Sequence, residues 1–177
     1  TSKNHCMLCT IGAKGIGKGV LGSIMRKVVG ETNYYYTGNK LLKTNFNSQI
    51  QNKKIVYIDE ISVTNTQEED CLKVLINDFI EIEQKGVDAK YVRNYANIYL
   101  SSNNLDSIRI SGDNRRFSIV NLTNKKLAEV MSGKEIDELL QADEIAYDFA
   151  RYLYQRDVDS GKMLKVFESA RTEEVRI

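Results

Sequence analysis

The sequence predicts an α/β fold, a central parallel sheet with helices on both faces. Three observations carry that expectation. A short apolar run, His5 to Ile11, leads through a glycine-rich loop into a helix-like segment. A second apolar run, Ile55 to Ile58, ends in two acids, Asp59 and Glu60. Strand-like and helix-like segments then alternate along the chain, as they do where parallel strands are joined by crossover helices.

The first element explains itself chemically. Gly12-Ala13-Lys14-Gly15-Ile16-Gly17-Lys18-Gly19 has the spacing G-x-x-x-x-G-K that opens a phosphate-binding loop of Walker A type. The glycines allow a tight curl in which successive N–H groups aim at phosphate oxygens. Lys18 would add a point charge on the β- and γ-phosphates. Gly19 to Val29 reads as the following helix, whose N-terminus also favours an anion. The predicted nucleotide-binding residues are therefore Gly12, Ala13, Lys14, Gly15, Ile16, Gly17, Lys18, Gly19 and Val20. One position departs from the pattern. The residue after the lysine is usually Ser or Thr, whose hydroxyl binds Mg²⁺, but here it is Gly19. The metal must then depend more on water and on a second acidic site. Ser23, one turn further on, is too distant to replace that hydroxyl. Gly-Lys-Gly also occurs in adenylate-kinase-like loops, so the loop alone leaves motor and kinase both open.

The second element supplies the acids. Ile55-Val56-Tyr57-Ile58 suits a strand covered on both faces, and its C-terminal end is where ligands bind in open α/β sheets. Asp59 is expected to hold the Mg²⁺ shell, and Glu60 to orient and deprotonate an attacking water. A kinase has no need of that hydrolytic pair. The third element, Tyr95 to Asn104, is a strand ending in Ser-Ser-Asn-Asn. The amide of Asn103 is placed to meet the attacking water or the γ-phosphate. Downstream, Asp113-Asn114-Arg115-Arg116 leads into a strand over Phe117 to Leu122. The paired arginines are either a solvated turn or a source of an arginine finger.

In this order the motifs resemble the AAA+ motor of superfamily 3 helicases, most closely the poxvirus-type primase-helicases of phages, plasmids and large DNA viruses. The resemblance covers about Cys6 to Leu122. It implies a three-layer P-loop NTPase with strand order 5-1-4-3-2, ATP and Mg²⁺ as cofactors, and Asn103 as sensor 1. It also implies a β-hairpin just before sensor 1 that enters the channel of a ring, most often a hexamer. Ile80 to Gln84 alternates as a strand, Lys85-Gly86-Val87-Asp88 is a turn signal, and Lys90 to Tyr95 reads as the return strand. Lys85 matches the basic residue that meets single-stranded DNA, with Lys90 and Arg93 less firmly placed beside it; the plain alternative is a surface hairpin. Lys18, Glu60, Asn103, Arg115 and Arg116 are the catalytic set that the resemblance implies. A family helicase carries an oligomerisation collar and often a primase upstream, so the chain is expected to be a motor domain excised from, or homologous to, such a protein.

Composition sets the remaining bounds. The 177 residues carry a formal net charge of +1, so no strongly basic face announces a monomeric DNA-binding domain. There is no signal peptide pattern and no apolar stretch long enough to span a bilayer, which predicts a cytoplasmic protein of a bacterial host or virus-infected cell, with no membrane partner. His5-Cys6-x-x-Cys9 looks like half a zinc site. The only other cysteine is Cys71 and there is no second histidine, so we read this segment as core strand. Lys40 to Gln51 and Glu68 to Phe79 are expected to be helical. Lys134 to Gln155 is expected to be a helical hairpin or one broken helix, and Met163 to Ile177 to pack on a neighbour or lie loose. The expected division is an ATPase core over 1–125 and a C-terminal helical extension over 126–177. Two other functions stay open: a nucleotide kinase, and an AAA+ regulatory switch that is not a helicase.

Overall fold

The computed structural model describes residues 3–44, 47–104, 107–108, 116–122 and 125–157. Seven strands and four α-helices are described: β1 (Met7–Ile11), α1 (Lys18–Val29), β2 (Tyr34–Thr37), β3 (Ile55–Ile58), α2 (Thr66–Leu75), β4 (Phe79–Gln84), β5 (Val87–Arg93), β6 (Asn97–Ser102), β7 (Phe117–Asn121), α3 (Gly133–Gln141) and α4 (Asp143–Gln155). Five strands form one sheet in the order β2-β3-β6-β1-β7, and every pairing is parallel. The fold is thus α/β with a parallel central sheet. Set aside the β4–β5 hairpin, and the strands run 5-1-4-3-2 from one edge, as expected.

Alternation along the strands divides the core in two. On one face Tyr34, Tyr57 and Tyr99 cluster with Leu8, Ile55 and the α1 residues Leu21, Met25 and Val29. On the other face Met7, Cys9, Val56, Ile58, Ile98, Leu100 and Phe117 meet Leu72 and Leu75 of α2 and Ile80 and Ile82 of β4. Cys9 is fully buried there, in agreement with its reading as core strand. Burial of these strands on both faces is why they read as continuous apolar runs. Among the described residues no helix is long and apolar enough to cross a membrane.

The segment expected as a helix over Lys40 to Gln51 is two short 3-10 turns, Asn39–Lys43 and Ser48–Ile50; Phe46 lies outside the described residues. Leu41, Leu42 and Ile50 still reach the core. The asparagines give the backbone other partners. Asn39 Oδ1 accepts the Ser62 N–H, while Asn47 accepts the Glu83 N–H and donates to the Glu81 carbonyl. Such side-chain bonds compete with a helical ladder. Helix α2 is capped by Asn65, which accepts the Glu68 N–H, and ends at Leu75, four residues short of the expected Phe79. The hairpin turn is shorter than expected: Gln84 pairs with Val87 across Lys85-Gly86, and Gly86 takes φ +76°. The return strand therefore starts at Val87 and not at Lys90. Helices α3 and α4 are separate, divided at Ala142, whose backbone is extended.

One glycine in α1 carries a packing constraint. A Cβ at Gly22 would lie 2.6 Å from the Tyr57 ring and 3.2 Å from the Tyr34 hydroxyl, whereas one at Gly19 would meet nothing within 4 Å. Both sites gain up to about 1 kcal/mol of helix propensity on change to Ala, but overpacking costs roughly 1–3 kcal/mol. Gly22→Ala should therefore lower the urea midpoint and Gly19→Ala should hold or raise it. Equal shifts in equilibrium denaturation would show that α1 does not seat on Tyr57.

Candidate nucleotide-binding site

The site is built where β1, β3 and β6 end side by side. Beyond Ile11 the chain runs through Gly12 to Gly17 and enters α1 at Lys18. Gly15 and Gly17 adopt φ +87° and +98°, in the left-handed region where a side chain is strained. No side chain caps α1 and no acid occupies its first turn, so its N-terminal N–H groups stay available to an anion. The Lys18 side chain folds back over the loop. Its Nζ donates to the Gly12 and Ala13 carbonyls at 2.7 and 2.9 Å. Burial depresses the pKa of Lys18, and the Asp59 and Glu60 carboxylates oppose that shift.

Asp59 and Glu60 follow β3 directly. Glu60 is a non-glycine residue at φ +50°, an uncommon conformation. Its Oε1 accepts a hydrogen bond from Asn103 Nδ2 at 3.2 Å, just past the end of β6. The Asp59 carboxylate is densely served. Oδ1 accepts from the Tyr57 hydroxyl at 2.8 Å, from the Glu60 N–H at 3.0 Å and from Ser101 Oγ. Oδ2 accepts from the Tyr36 hydroxyl at 3.0 Å. Burial would raise the pKa of this carboxyl, but the bonds from Ser101, Tyr57, Tyr36 and the Glu60 amide outweigh it and hold the group below its usual 3.8.

A cavity of about 380 Å³ joins these parts. Lys14, Gly15, Gly17, Lys18, Gly19 and Val20 line it from the loop side, and Asp59, Glu60 and Asn103 from the strand ends. Leu127, Ala128 and Ile136 close it from the C-terminal part of the chain. The Leu127 N–H donates to the Gly15 carbonyl at 2.9 Å, and its side chain lies against Gly17.

Other expected site residues lie elsewhere. Arg115 falls outside the described residues. Arg116 immediately precedes β7, where its carbonyl accepts the Met7 N–H. Met7 is the first residue of β1, so about 13 Å of strand separates this level from the loop. Lys85 is exposed on the hairpin turn, and Lys90 pairs opposite Ile82 in β5; neither lines the cavity. Sequence reasoning gave no role to Tyr36, Tyr57, Ser101 or Leu127. Two of these carried a signal. Tyr57 precedes Asp59 by two, hence shares its face, and Ser101 stands in the Ser-Ser-Asn run itself. Leu127 carried none.

The geometry can be set beside known proteins. A family model described as a family of unknown function, DUF5906, matches residues 10–116. The chain belongs to this family. The matched span holds the glycine-rich loop, both acids, the hairpin and Asn103. The chain is also homologous to the DNA primase-polymerase of Nitratiruptor phage NrS-1, with 28% identity over 165 residues. The alignment covers 90% of this chain and 23% of that protein, so the chain spans about a quarter of its relative's length. The apo structure of the NrS-1 C-terminal region superposes with a TM-score of 0.85 at 25% identity, over 98% of this chain and 42% of that one. Its A form gives 0.83 at 26% identity, over the same shares.

The carboxyl of Asp59 makes acid stability a probe of the site. A group with a depressed folded pKa stabilises fully above its unfolded value and loses that contribution as pH falls through the folded one. The advantage of wild type over Asp59→Asn should therefore be full at neutral pH and shrink below about pH 3.8. Denaturation midpoints of both proteins, followed from neutral pH into acid, test this. A constant gap across that range would mean that Asp59 is not held as a charged acceptor.

Proposed function

We propose that this chain is an ATP-hydrolysing AAA+ motor of superfamily 3 type, serving phage DNA replication as a helicase. One observation carries the reading: Lys18, Asp59, Glu60 and Asn103, drawn from three separate stretches of sequence, border one cavity at the C-terminal ends of parallel strands. The expected strand order and the homology to a phage primase-polymerase support it. The Glu60–Asn103 pair in that cavity weighs against a nucleotide kinase, which has no need of a hydrolytic base.

In this reading the phosphates of ATP lie along the loop and the N-terminus of α1. They take over the Lys18 ammonium from the Gly12 and Ala13 carbonyls. The oxygen donors at the strand ends suit Mg²⁺, and Asp59 is the residue that would hold it. When bound, the ion neutralises charge on the β- and γ-phosphates. Glu60 accepts a proton from the attacking water, and Asn103 orients both base and water from the opposite side. Arg116 lies too far from its own loop to serve it, so it or the adjacent Arg115 would serve a neighbouring subunit of a ring. Lys85, on the hairpin turn, would follow the phosphate backbone of a single strand in the channel.

Four outcomes test these roles. ADP release should be measurable and should rise on addition of single-stranded DNA; phosphorylation of a nucleoside monophosphate instead would establish the kinase. Glu60→Gln should retain nucleotide binding and lose turnover by about 100-fold or more, the usual worth of a general base; wild-type turnover in that variant would remove Glu60 from the mechanism. Lys85→Ala should keep basal hydrolysis, lose the stimulation by DNA, and flatten the salt dependence of DNA binding in the assembled protein. Mixing Lys18→Ala with Arg115→Ala subunits should recover part of the activity, since some interfaces then join an intact loop to an intact arginine. Absence of recovery at every ratio would argue against action in trans.

A further inference from the structure

The hydroxyl missing at position 19 has a structural counterpart elsewhere. In the phosphate-loop pattern that hydroxyl belongs to the helix and sits beside the metal. Here α1 offers Gly19, and the space a side chain would fill there is open within 4 Å. Three hydroxyls approach Asp59 from the sheet instead. Tyr57 and Ser101 both give their protons to Oδ1, beside the Glu60 N–H. Tyr36 reaches Oδ2, where it is the one donor among the described residues.

Packing fixes these groups before any ligand arrives. The Tyr57 ring stacks on Tyr99 with centroids 4.5 Å apart and fills the room left by Gly22. Tyr36 meets the Tyr57 ring edge-on at 5.4 Å. Ser101 is fully buried in β6. A carboxylate oxygen accepts about two hydrogen bonds in good geometry. Oδ1, with three donors, is saturated, and the Tyr57 hydroxyl and Ser101 Oγ also lie 2.9 Å from each other, which holds both against it. Oδ2 keeps a lone pair for a further partner.

We propose that Tyr57, Ser101 and Tyr36 are positioning residues that replace the absent loop hydroxyl, locking Asp59 so that Oδ2 meets a nucleotide-bound divalent cation. The inference rests on the ATPase reading above. It also predicts a specific rescue. A hydroxyl restored at position 19 should make the sheet hydroxyls dispensable, and the open space at Gly19 allows one.

The test reads metal-linked nucleotide affinity and not turnover. A fluorescent non-hydrolysable ATP analogue is titrated into wild type, Tyr36→Phe, Tyr57→Phe and Ser101→Ala, each in excess Mg²⁺ and in EDTA. The same variants are then made with Gly19→Ser. Wild type should bind more tightly in Mg²⁺ than in EDTA. The hydroxyl deletions should weaken binding in Mg²⁺ several-fold while the EDTA values stay within about twofold. Gly19→Ser should restore the Mg²⁺ affinity of each deletion. Tyr36, half-exposed at the end of β2, gives a variant whose folding is not in question. Deletions that leave the Mg²⁺ enhancement intact, that weaken binding equally in EDTA, or that Gly19→Ser does not rescue would each overturn the proposal. A wild type with no Mg²⁺-linked binding would overturn the ATPase reading itself, an outcome distinct from all of these.

Discussion

The parallel register of β3, β6 and β1 is what brings the site's chemistry together. Ile58 lies opposite Leu100, and Leu100 opposite Cys9. The residues just beyond, Asp59, Ser101 and Thr10, thereby fall at one level of the sheet. Ser101 can bond Asp59 only in that register, and Thr10 Oγ1 can meet the Tyr99 hydroxyl at 2.9 Å only because β1 and β6 are neighbours. A slip by one residue would turn Asp59 and Tyr57 to the opposite face. The tyrosine cluster under α1 opposes that slip, since Tyr57 and Tyr99 stack across β3 and β6 and their rings fit against Gly22. The geometry of the carboxylate is therefore a consequence of core packing.

Lys18 shows the same economy at the loop. A buried ammonium is costly without partners, and desolvation does depress its pKa. Two loop carbonyls satisfy it, and the Asp59 and Glu60 carboxylates add a favourable field. In the function proposed above, a phosphate in the cavity would replace these neutral carbonyl acceptors of the ammonium with anionic ones. The arrangement holds the lysine over the loop without locking it into a salt bridge.

Much of this was legible in local sequence. Glycine spacing marks the loop, apolar runs ending in acids or amides mark β3 and β6, and alternation marks the hairpin. Each signal lies within about ten residues, because backbone conformation and strand burial are local demands. The failures share a cause. Leu41, Leu42 and Ile50 have helix-like spacing, yet their partners come from α2 and β4, and Asn47 ties that segment to the hairpin. The turn at Lys85-Gly86 is tighter than the four-residue signal implied because pairing of Gln84 with Val87 decides where β5 begins. Tyr36, like Tyr34 and Tyr35 beside it, gives no hint that one hydroxyl of the three reaches a carboxylate 23 residues away.

The C-terminal segment is the clearest case of a role that only tertiary structure reveals. By sequence, 126–177 is a helical extension following the last strand. In the fold, the Leu127 N–H holds the Gly15 carbonyl and its side chain covers Gly17, while Lys27 of α1 binds the Gln141 and Ala142 carbonyls and the Asp143 carboxylate. The extension therefore touches both the loop and the helix that follows it. Leu127 and Ile136 form the apolar wall of the cavity. The loop and the extension are thus joined by a backbone bond, Leu127 N–H to the Gly15 carbonyl, that spans more than a hundred residues.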